Sequence, residues 1–334
     1  MSPRLPILAF LWLAATSSLL PEAMAGPPHA PNLEGANAAA PKPAAQAQED
    51  LTQKGGQAVL QRAIATMEAR PSLFAKSSHH INLFGKPQVL GTALYLEQQT
   101  EKGRLARMDL KTTLGTQQVS TLVEVFDGDA LWTCEQLNGK KLTKVDVKAA
   151  DEMLKAKGKL PKEGGIRSLP GLWGLSKLLR GLEADFVFTV VQQPASTPPD
   201  APGQKKLPLW ILSGTWSPQK LAKIFPDQAE ALKDGKPANL DKLPEHLPDH
   251  VILCLGKDDL FPYQIDYRRK VPKRFWNRDE PQSRSILTVK FTEVDFSRRF
   301  DASRFEYPGR QALDGVKSVD GTEAFVKKLK LDGR

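Results

Sequence analysis

The sequence predicts an α+β protein organised on one large antiparallel sheet with helices on one face. Three observations point there. From His79 to Lys144, segments of alternating polarity follow one another with only short Gly, Asn or Lys-Gly turns between them. About ten such strand-like segments occur along the chain, and no regular strand–helix–strand alternation links them.

The elements follow in order. Residues 1–25 carry Arg4, the apolar run "LPILAFLWLAATSSLL" and the small-residue site "AMA" at 23–25, the pattern of a cleaved secretory signal. The expected location is therefore periplasmic or secreted. Residues 26–50 are rich in Pro, Ala, Gly and Gln and read as a flexible lead, because they offer too little apolar surface to offset ordering entropy. Residues 51–70 read as a helix, with Leu51, Val59, Ala63 and Met67 on one face and Pro71 closing it.

A meander follows: "VLGTALYLEQQ", "GRLARMDLKTT", "QQVSTLVEVFDG", "DALWTCEQLNG" and "KKLTKVD". Asp127-Gly128 predicts a two-residue type I′ hairpin, which puts Trp132 mid-strand and opposite in face to Leu131 and Thr133. Helices are expected at 147–159 and 170–185; in the second, Leu172, Leu175, Leu178, Leu179 and Leu182 form an apolar stripe flanked by Trp173. Strands resume at "DFVFTVVQQ" and "LPLWILSGTW", Ser217-Pro218 opens a helix over 218–233, and "HVILCLGKDD", "PYQIDYRRK" and "RSILTVKFTEVDF" supply three more strands. The main domain is expected over 51–312, with a tail at 313–334 containing a short helix.

Chemistry-bearing patterns are sparse. His79-His80 are adjacent and so face opposite sides, and Pro248 interrupts the helical spacing of His246 and His250, so no metal site is expected. No G-x-S-x-G elbow, P-loop or dinucleotide fingerprint occurs, and neither enzymatic activity nor a cofactor is expected. The net charge of +9 survives loss of the signal, since Arg4 and Glu22 leave together. Its clusters at 267–274 and 326–330 suit an anionic membrane surface or acidic polymer, and no nucleic acid partner is expected. Cys134 and Cys254 either pair in an oxidising compartment or remain two buried thiols.

What stands out is apolar and aromatic: Trp132, Trp173, Trp210 and Trp216, with Phe186 and Phe188. The order of these motifs resembles the LolA-like periplasmic carriers, the outer-membrane lipoprotein-sorting family. "AIATMEA" on the first helix, "FDGDALWTC" with Asp127, Gly128 and Trp132, the paired strands around Pro262, and "VKFTEVDFSRRFDASRFEYPG" with Phe291, Phe305 and Pro308 carry the likeness, over about residues 55–310. The chain adds insertions at 194–206 and 270–284, and the arginine that some carriers use to latch a lid is not placed by the sequence.

The resemblance implies a strongly curved antiparallel sheet, an incomplete β-barrel with helices covering the concave side, and an apolar hollow that binds acyl chains, under helices 147–159 and 170–183 acting as a movable cover. The expected ligand is a lipid acyl chain or a lipidated protein, bound by a monomer in a carrier role. The inward-facing candidates are Leu94, Leu96, Val123, Val125, Trp132, Leu175, Leu179, Phe186, Phe188, Trp210 and Leu212. The rival expectation is an envelope structural or interaction protein with a filled half-barrel, binding an anionic polymer or a protein partner through its basic patches.

Overall fold

Alanine and glutamine have high helix propensity, and the first helix, α1 (Ala44–Ala69), accordingly begins ahead of the expected Leu51. The computed structural model describes residues 44–82, 89–101, 103–114, 117–136, 139–158, 165–168, 172–191, 207–270, 283–307 and 317–329. The signal-like segment 1–25 lies outside them, as do most of the two insertions. No helix among the described residues is long and apolar enough to cross a membrane. Leu60, Ala63, Ile64 and Met67 are buried, at the spacing of one helix face.

Immediately after Pro71 comes β1 (Ser72–Ile81), a strand that begins seven residues ahead of the His79 start expected from the sequence. The meander continues as β2 (Val89–Thr100), β3 (Gly103–Leu114), β4 (Gln117–Phe126), β5 (Ala130–Gln136) and β6 (Lys140–Asp146). Helix α2 (Val147–Ala156) starts under an Asp146 side-chain cap, and α3 (Gly174–Asp185) runs directly into β7 (Phe186–Val190). After β8 (Leu209–Trp216) the expected helix over 218–233 is broken. Pro226 cannot donate its backbone hydrogen bond, so the segment splits into α4 (Pro218–Ile224), a 3-10 turn and α5 (Ala229–Lys233). Strands β9 (His250–Gly256), β10 (Pro262–Lys270), β11 (Ser283–Asp295) and β12 (Val319–Asp320) follow, then α6 (Thr322–Lys328).

Among the described residues, twelve strands form one open sheet in the order β12-β6-β5-β4-β3-β2-β1-β11-β10-β9-β8-β7. Two antiparallel meanders thus lie side by side, joined where β11 returns to pair with β1; the single parallel contact is β12 with β6. The sheet is curved and does not close into a barrel. Register shifts in β1, β3 and β10 fit that shape, since bulges add local twist and bend.

The main core lies on one face, where β1, β2 and β7–β11 meet α1 and α3. A second cluster, around Phe126, Leu154, Ile166 and Trp173, fills the same face under α2 and α6. A third, of Phe74, Leu96, Leu105 and Phe305, lies on the opposite face, where the segment after β11 folds back. Helix α1 also shields the edge strand β7: a Cβ on Gly56 would collide with the Phe188 carbonyl, so the helix backbone sits directly on the strand.

Candidate functional site

Cross-strand partners share a face, and the register therefore sorts the candidate residues. Phe186 pairs with Trp216, Phe188 with Gly214 and Leu212 with Leu253, all on the helix-covered face; Trp210, paired with Leu255, joins them partly buried. Leu175 and Leu179 of α3 are fully buried against this surface. These six of the eleven candidates come together in the main core.

The other five point away. Leu96 pairs with Phe74, Leu94 with Lys76, Val123 with Asp109, and Val125 with both Arg107 and Trp132. Their strands carry Tyr95, Met108, Glu124 and Leu131 on the covered face instead, so the expected phase is inverted throughout β2, β4 and β5. The cause is that this meander is apolar on both faces. Leu94 and Leu96 are covered by Phe300 and Phe305, a contact from about 200 residues downstream in sequence that local alternation does not reveal.

Trp132 has a defined role on that outer face. Its indole N–H donates to Asp127 Oδ2 at 3.2 Å, its ring stacks on Tyr307 with centroids 5.4 Å apart, and Lys144 lies over it. Asp127 also accepts the backbone N–H groups of Asp129 and Ala130 at 2.8 and 2.7 Å. Gly128 has φ +92°, whereas Asp127 is not among the positive-φ residues, so the turn is an aspartate-capped one and not the expected type I′. The D-G-x-x-x-W pattern is thus a turn fastened to its own strand.

Cys134 and Cys254 are free thiols. Strands β4, β3, β2, β1, β11 and β10 lie between β5 and β9, a separation of about 34 Å along the sheet at the usual strand spacing, which excludes a bridge. Burial pushes the Cys254 thiol up to about 11.

The cover is clasped rather than simply packed. Glu97, 1% exposed on β2, accepts the Leu175 N–H at the start of α3 at 2.6 Å and pairs through its other oxygen with Arg104 at 2.5 Å. Arg104 in turn donates to the carbonyls of Met67, Glu68 and Arg70, capping the C-terminal end of α1. One carboxylate and one guanidinium therefore tie both helices to the sheet. Arg180 of α3 adds a bidentate pair with Glu68 of α1 at 3.0 and 3.1 Å. Gly174 rests on the Glu97 carboxylate with φ +67°, where a side chain would be both strained and obstructed. The far end of α3 is fixed: Asp185 pairs with Lys220 at 2.7 Å and its carbonyl accepts the Ser217 N–H.

Beneath the N-terminal end of α3 is a cavity of about 40 Å³, lined by Tyr95, Met108, Glu124, Phe126, Leu131, Leu172, Trp173 and Lys177 among others. That is room for about one water molecule, against the several hundred Å³ of a typical ligand pocket. The Trp173 ring lies between Phe126, at 3.8 Å and nearly parallel, and Phe325, at 6.0 Å. Its buried N–H has no acceptor among the described residues. Glu124 and Lys177 face each other at 3.7 Å beside it.

Deeper on the same face, His79 Nε2 lies 2.9 Å from Ser77 Oγ, while its Nδ1 is unmatched among the described residues. Burial, aided by the charge of His80, pushes His79 down to about 4. The unfolded chain therefore binds one more proton than the native one between pH 6.5 and about 4. Stability from this residue is present above pH 6.5 and is lost as pH falls through that window, by about 3 kcal/mol in full. Urea unfolding at pH 7 and pH 4.5 should show a smaller loss in His79→Gln than in the parent; equal losses would exclude His79 as the cause.

Two arginines of the basic cluster at 267–274 are engaged within the fold. Arg268 pairs with Asp266 at 2.7 Å, and Arg269 caps the carbonyls of Leu243, Pro244 and Leu247. In the 326–330 cluster, Lys327 pairs with Glu323. No group of three metal-ligating side chains is assembled among the described residues.

No family model and no curated protein sequence matches the chain. Solved structures do resemble it. A DUF1329 family protein from Desulfovibrio piger aligns at 9% identity over 77% of this chain and 98% of its own, with a TM-score of 0.29. MucB aligns at 11% identity over 77% of this chain and 64% of its own, with a TM-score of 0.36. A LolA superfamily protein from Nitrosomonas europaea aligns at 9% identity over 75% and 97%, with a TM-score of 0.28. The chain is thus similar to LolA superfamily and DUF1329 structures, and at these TM-scores the overlays carry no functional argument.

Proposed function

We propose that the chain is an exported, non-enzymatic protein that takes an acyl chain, free or attached to a protein, between its sheet and α3, in a carrier-like role. The observation that supports this most is the clasp: α3 covers an apolar face yet is held at its N-terminal end through one carboxylate, above a cavity. Its far end is welded to β7, so the helix can swing about Asp185. Burying the roughly fourteen methylenes of a palmitoyl chain contributes about 11 kcal/mol toward lifting Leu175, Leu179 and Leu182 off the sheet.

Native mass spectrometry of protein purified without detergent and incubated with palmitate tests the reading. An adduct of one acyl chain is expected. Trp132→Ala should leave it intact, because that ring faces away from the cover, and Leu179→Ala should change its abundance. No adduct under any loading condition would overturn the proposal.

The tight interior favours a second reading, a filled half-barrel that serves as an envelope interaction protein. Its partner would be an anionic polymer or a protein, met through its basic patches. A pull-down that retains a partner at low salt and releases it at high salt, with no acyl adduct, would favour it.

A further inference from the structure

We infer that the acyl ligand carries a carboxylate head, and that this head docks under the N-terminal end of α3 between Trp173 and Lys177. The inference rests on the acyl-binding reading above and names the chemistry of its ligand. Two features converge on the cavity. Trp173 is 5% exposed and presents a buried N–H donor that no described residue satisfies. Lys177 stands one turn further along, on the same side of the helix.

The existing acceptor there is a stand-in. Glu124 faces Lys177 at 3.7 Å, beyond hydrogen-bond distance, and its side chain is 21% exposed, so it can turn to water when a better-placed anion arrives. Glu97, the other nearby carboxylate, is neutralised by Arg104. A ligand carboxylate with one oxygen on the indole N–H and the other on Lys177 Nζ satisfies both groups, while its chain runs over Tyr95 and Met108 into the space α3 vacates. The indole, packed between Phe126 and Phe325, offers one N–H and Lys177 one ammonium, a pair of donors that matches the two oxygens of a carboxylate.

Titration calorimetry with dodecanoate, dodecan-1-ol and dodecyl phosphate tests this on the whole chain. Dodecanoate should bind at least 10-fold more tightly than the alcohol, and more tightly than the phosphate. Lys177→Met should remove most of that preference, Trp173→Phe should weaken dodecanoate several-fold while keeping the ring stack, and Glu124→Gln should tighten it. Equal affinity of acid and alcohol in the parent protein would overturn the head-group assignment and leave acyl binding standing. Preference for the phosphate would replace carboxylate by phosphate. Failure of all three to bind would overturn the acyl reading itself.

Discussion

Replacing Glu97 by Gln should lower unfolding stability by about 3–5 kcal/mol, because it strands the Arg104 guanidinium, whose side chain is 11% exposed, without its counter-charge. In thermal denaturation this corresponds to a fall of about 10 °C in Tm. The amide can still accept the Leu175 N–H, so Glu97→Ala, which removes both interactions, should cost more and should also loosen the start of α3. Pairing Glu97→Met with Arg104→Met removes the buried charge altogether and should recover part of the loss, since a hydrophobic pair often matches a buried ion pair. If Glu97→Gln leaves Tm unchanged, the clasp is not what secures the cover.

Two neighbouring glycines in α1 should respond in opposite directions to the same substitution. A Cβ at Gly56 meets the backbone of Phe188 and Thr189, which cannot move aside as a flexible side chain would. Gly56→Ala must push the helix off the edge strand, at about 3 kcal/mol. At Gly55 the nearest atom is Val190 Cγ2 at 3.9 Å, ordinary contact distance, and the gain in helix propensity should stabilise the protein by up to about 1 kcal/mol. Urea midpoints of the two variants measured side by side check this. A shift of the same sign in both would contradict the close packing of α1 on β7.

These sites also show what the linear sequence can and cannot reveal. The α+β class and the meander were legible, because alternation and turn residues are local signals. Most of β1 was not, beyond the strand start expected at His79, since "SLFAKSSHHI" carries lysine and two histidines: Lys76 and His80 point outward, while His79 is buried uncharged. The strand phase failed where a distant segment covers the second face, as Phe300 and Phe305 cover Leu94 and Leu96. The clasp was missed for a related reason. Glu97 and Arg104 read as ordinary charges flanking the Lys102-Gly103 turn, and only the tertiary fold brings the ends of α1 and α3 to them. A signal did exist in "LWGLS": a glycine at a helix start between apolar residues marks a backbone that must approach something closely, here the Glu97 carboxylate. Cys134 and Cys254 lie in similar apolar runs, and nothing in their spacing tells that six strands separate them.

Acyl uptake in the proposed form requires α3 to leave a sheet that stays folded. Hydrogen–deuterium exchange of the intact protein, resolved to peptides, measures this directly. The amides of 175–184 should exchange through an opening several kcal/mol smaller than that of β9–β11, and added palmitate should slow them without altering the strands. Exchange of α3 at the same free energy as the central strands, unchanged by palmitate, would show that the helix is fixed core and would contradict the proposed cover.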